Sequence, residues 1–95
     1  MITPDDVRRF FEHRHPWMDR LLRPVSRAKF ALDPDRQAEF RHNAITLAFA
    51  NVLRSAELGK IGDDAALTAF TRQSLWYAIR SRTSGGVFTT VSIPR

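Results

Sequence analysis

The chain has 95 residues, 43 % of them hydrophobic and seven of them Phe, with a formal net charge of +5. That describes one small globular domain with a modest core, too apolar to stay disordered and too short for a second domain. The lack of cysteine excludes a disulfide framework, a thiolate metal site and a thiol nucleophile, and a pI near 11.0 favours an anionic partner, nucleic acid or an acidic protein.

Thr3-Pro4-Asp5-Asp6 reads as a helix start: Thr3 caps, Pro4 fits the first helical position and the carboxylates face the positive end of the helix dipole. A first helix is expected to about His13, with Val7, Phe10 and Phe11 as its apolar side. His15-Pro16 restarts the chain, and Trp17, Leu21 and Leu22 mark a short second helix that Pro24 ends. In residues 26–32, Ser26, Ala28, Phe30 and Leu32 alternate with Arg27, Lys29 and Ala31, and this period of two predicts a strand.

Asp33-Pro34-Asp35 opens a third helix of about 24 residues that Gly59 stops. Its middle, AITLAFANVL at 44–53, is apolar on nearly every side and is expected to be the central core helix. Gly62-Asp63-Asp64 starts a fourth helix to about Arg82, with Leu67, Phe70, Ser74, Leu75, Tyr77, Ala78 and Ile79 on one arc. Thr83-Ser84-Gly85-Gly86 ends it, and Val87, Phe88, Thr89, Val91 and Ile93 lie in a second strand. The expected fold is mainly α, about four helices in α-α-β-α-α-β order, with a small two-stranded element and the helical hairpin 34–82 as core. The open edge of so small a sheet invites pairing with another copy or a partner.

The carboxylate pairs Asp5/Asp6, Asp33/Asp35 and Asp63/Asp64 all fall at helix starts, where capping accounts for them without catalysis. His13 and His15 flank Arg14, and together with His42 they match no metal-ligand spacing; they read as surface histidines. Ser84-Gly85-Gly86 follows a helix and precedes a strand, the reverse of a phosphate loop. No nucleophile motif occurs. The sequence therefore offers no residue for an enzyme and calls for neither metal nor cofactor.

Two basic surfaces remain. One is Arg20, Arg23, Arg27 and Lys29, in a segment without acidic residues from 20 to 32. The other is Arg72, Trp76 and Arg80 with Gln73, on the polar side of the last helix, with Arg82 close by. Mobile positive charge like that of the first surface makes phosphate contacts, and a Trp among Arg, as on the second, is typical of contact surfaces. No apolar run reaches the roughly 18 residues of a membrane span, and MITPDDVRR lacks the features of a signal peptide. The expected protein is a cytoplasmic, non-enzymatic binder of nucleic acid, without membrane attachment. The alternative is a protein-binding adaptor or inhibitor acting through its C-terminal strand and the Trp76 face.

Overall fold

A computed structural model describes residues 1–83, with side chains described to residue 80. It consists of three helices, α1 (Pro4–Lys29), α2 (Pro34–Glu57) and α3 (Asp64–Thr83). The expected four helices with a two-stranded element are not what forms, and among the described residues there is no strand. The second expected strand, with Val87, Phe88, Thr89, Val91 and Ile93, lies outside the described residues, as do Gly85, Gly86 and the Arg82 side chain.

The correction centres on α1, a single helix of 26 residues that runs through both Pro16 and Pro24. A proline supplies no N–H to the carbonyl four residues back, so the carbonyls of Glu12 and Arg20 lose their helical donors. Both prolines are exposed, and water can serve those carbonyls. On the opposite side Val7, Phe11, Met18, Leu22 and Ser26 are buried at spacings of four and seven, one stripe that continues past each proline. Burial of that stripe, each large side chain contributing about 1.5–3 kcal/mol, keeps the helix in one piece.

The same stripe overturns the strand at 26–32. Ser26 is wholly buried, Arg27, Ala28 and Lys29 are exposed, and Leu32 is 97 % exposed. One buried residue per turn is helical periodicity, and the apparent alternation was accidental. The helix ends where the Phe30 N–H bonds the Ser26 carbonyl, and the Gln37 side chain donates to the Phe30 carbonyl at 2.8 Å to close the turn into α2.

Capping follows the sequence closely. Thr3 Oγ1 accepts from the Asp6 N–H while Asp6 Oδ2 accepts from the Thr3 N–H, forming a capping box. Asp33 Oδ1 accepts from the Arg36 N–H, and Asp63 Oδ1 from the Ala66 N–H. Gly59 sits at φ +71°, the left-handed conformation that ends α2, with the Lys60 N–H reaching back to the Ser55 carbonyl at 2.9 Å.

Both α1 and α3 pack along α2, the central helix. The pairs Phe30–Phe40, Asp19–Arg41 and Phe11–Phe49 run in opposite chain directions, so α1 and α2 are antiparallel. Ala44, Ala48 and Ala56 are buried on α2, and their small side chains let the flanking helices approach. The N-terminus is tied in by a hydrogen bond from the Ile2 N–H to the Ile61 carbonyl at 3.1 Å, with both side chains buried. The centre of α2 is not enclosed on every side, however. Thr46, Ala50 and Asn51 are exposed, because two neighbouring helices cover only part of the circumference of a third.

Candidate functional site

Folding α1 as one helix sets the geometry of its arginines. At 100° per residue Arg20, Arg23 and Arg27 fall within an arc of about 60°, and all three are exposed together with Pro16 and Pro24. Lys29 is exposed as well, but nine residues past Arg20 it projects from about the opposite side, so it does not extend the line. Arg20 and Arg27 have no hydrogen-bonding or ion-pair partner among the described residues.

Arg23 is part of a network at the α1–α2 seam. Its Nε donates to Asp19 Oδ2 at 3.0 Å, while Arg41 Nε, from α2, donates to Asp19 Oδ1 at 2.7 Å. Arg41 Nη1 also donates to Ser26 Oγ at 3.1 Å, and that hydroxyl donates to the Arg23 carbonyl. Partial burial pushes the Asp19 pKa up, but the hydrogen bonds and charges of Arg41 and Arg23 outweigh it and hold the carboxyl below its ordinary value. Two guanidiniums share one carboxylate, so the network keeps a net positive charge. From 19 to 29 there are four cations and one acid, whereas the first half of α1 balances Asp5, Asp6 and Glu12 against Arg8, Arg9 and Arg14.

On α3, Arg72, Gln73, Trp76 and Arg80 are all exposed. Arg72 lies over the Trp17 ring at 5.7 Å, Trp17 meets Phe10 edge-on at 6.4 Å, and Arg14 covers Phe10 at 5.6 Å. Arg72 is thus held in a cation–π stack that joins α3 to α1. Phe10 is occupied by Trp17, and Phe11 by Phe49 at 5.1 Å. Trp76 is left 42 % exposed.

The sequence reading missed one feature, a trough on the open side of α2. Leu47, Ala50, Asn51 and Arg54 line it from α2, and Ser74, Tyr77 and Ala78 from α3, around a cavity of about 340 Å³. It continues past Asn51, Ser74 and Tyr77 to Phe70 and Gln73. Tyr77, expected on the apolar arc, is 63 % exposed on its wall. The available signal was Asn51, a lone carboxamide inside the apolar run 44–53.

Among the described residues no three His, Asp or Glu side chains come together as metal ligands, and no helix is long and apolar enough to cross a membrane. Comparison with protein-family models, curated proteins and solved structures finds no match to this chain.

Proposed function

We propose that this protein is a small, non-enzymatic nucleic-acid-associated factor, cytoplasmic in setting, that contacts the phosphate backbone through Arg20, Arg23 and Arg27. The observation that supports this reading is their alignment on one exposed face of α1, spanning about 10 Å from position 20 to 27, in a stretch where cations outnumber acids four to one. Phosphate contacts need mobile, under-neutralised cations and no pocket. Arg27, near the C-terminal end of α1, also complements the helix dipole; that role leaves its guanidinium available to an anion.

The test is duplex DNA or RNA binding titrated with salt. Binding that weakens steeply with salt is expected for wild type. With Arg20, Arg23 and Arg27 all replaced by Ala, affinity should fall alike for every sequence, and the log–log slope should flatten by about 2 to 3. No retention on nucleic acid at 50 mM salt, or an unchanged slope in the variant, sinks the proposal.

The exposure of Trp76 beside Arg72, Gln73 and Arg80 favours a second reading, a protein-binding module. Its discriminating experiment is affinity capture with and without nuclease, repeated with Trp76→Ala. A partner retained after nuclease treatment and lost with the tryptophan supports this reading over the first.

A further inference from the structure

We propose that the trough between α2 and α3 receives the apolar face of a two-turn amphipathic helix from a partner protein, with a carboxylate of that helix paired to Arg54. Leu47, Ala50, Ala78 and the Tyr77 ring give the trough an apolar lining, whereas Arg54 is its one charged group and no acid lines either part. Arg54 is exposed and has no ion pair among the described residues. A single cation at the rim of an apolar depression selects an acid-bearing apolar ligand and disfavours a polyanion.

A second observation concerns Ser74. It is only 4 % exposed, lines the trough, and makes no side-chain hydrogen bond to a described residue. Its hydroxyl is not among the buried unsatisfied groups, so water reaches it from the open trough, and a polar atom of a ligand seated there can take that water's place. The lining positions span seven residues on α2 and eight on α3, about 10–12 Å at 1.5 Å per residue, which is two turns of helix. The furrow between two packed helices is where another helix of a bundle seats, and helix-in-groove recognition uses anchors at i, i+3 or i+4, and i+7. No α1 residue lines the trough, so this inference stands apart from the nucleic-acid surface.

The experiment is selection of a randomised 12-residue peptide display library on the full chain, followed by fluorescence anisotropy with the selected peptides. The expected peptides carry apolar residues at helical spacing and an Asp or Glu. Arg54→Glu should weaken them at least tenfold, and exchanging the peptide's acid for Lys should restore binding to that variant. Tyr77→Ala should also weaken binding at least tenfold, while the Arg20, Arg23 and Arg27 triple alanine variant should bind as wild type does. Circular dichroism confirms that each variant stays folded. An empty selection, peptides without an acid, or indifference to Arg54→Glu overturns the proposal. So does a wild-type dimer in sedimentation that Tyr77→Ala dissociates, because a second copy would then occupy the trough.

Discussion

Arg41 reaches Asp19 from inside the α1–α2 seam, where its side chain is 17 % exposed, while Arg23 reaches the same carboxylate from a position 58 % exposed. The two arginines therefore contribute unequally to stability. Arg41→Ala strands Asp19 Oδ1 and removes the donor to Ser26, and urea unfolding should show a loss of about 1–3 kcal/mol. Arg23→Ala removes a solvent-screened contact and should cost under about 1 kcal/mol; equal losses would contradict the asymmetry. Asp19 also links stability to pH. Its folded-state pKa is lowered, so its contribution is fully present above the unfolded value of about 3.9 and is lost as pH falls through the folded value. Asp19→Asn should lose less stability than wild type on acidification from about pH 5 to pH 2, measured by unfolding midpoints at each pH.

Whole elements obey the same balance of local cost against burial. Pro16 and Pro24 lie in the interior of α1 on its wet side, so replacing either with Ala restores a helical hydrogen bond without touching the core. Each substitution should stabilise the protein by about 1–3 kcal/mol; an unchanged urea midpoint would mean that the helix does not run through these positions as one piece. Leu22→Ala, in the stripe that holds α1 to α2, should cost about 2–5 kcal/mol.

These elements also show what was legible in the sequence. The starts at Asp33 and Asp63 and the stop at Gly59 were readable because caps are short-range chemistry. The continuity of α1 was not, because it depends on burial against another helix that no local pattern displays. Misplacing the break at Pro24 turned Arg27 and Lys29 into neighbours on a strand; on the helix they diverge. The exposure of Trp76 was equally a tertiary fact, decided by where Phe10 and Phe11 found partners.

At the scale of the molecule, chain neighbours pack on one another, α1 on α2 and α2 on α3. Contacts between successive helices keep loop closure short, so folding should be a single phase in the microsecond-to-millisecond range, observable by temperature jump; folding over seconds would contradict this topology. The division of labour around Asp19 matters for the whole molecule too. Since Arg41 stays bound to that carboxylate from within, Arg23 is free to swing outward onto an incoming anion without abandoning a lone negative charge in the seam. On the proposed reading, an anion bound to the outer face of the first helix would be insulated from the packing beneath it, and binding should then rearrange a single side chain on an otherwise rigid body.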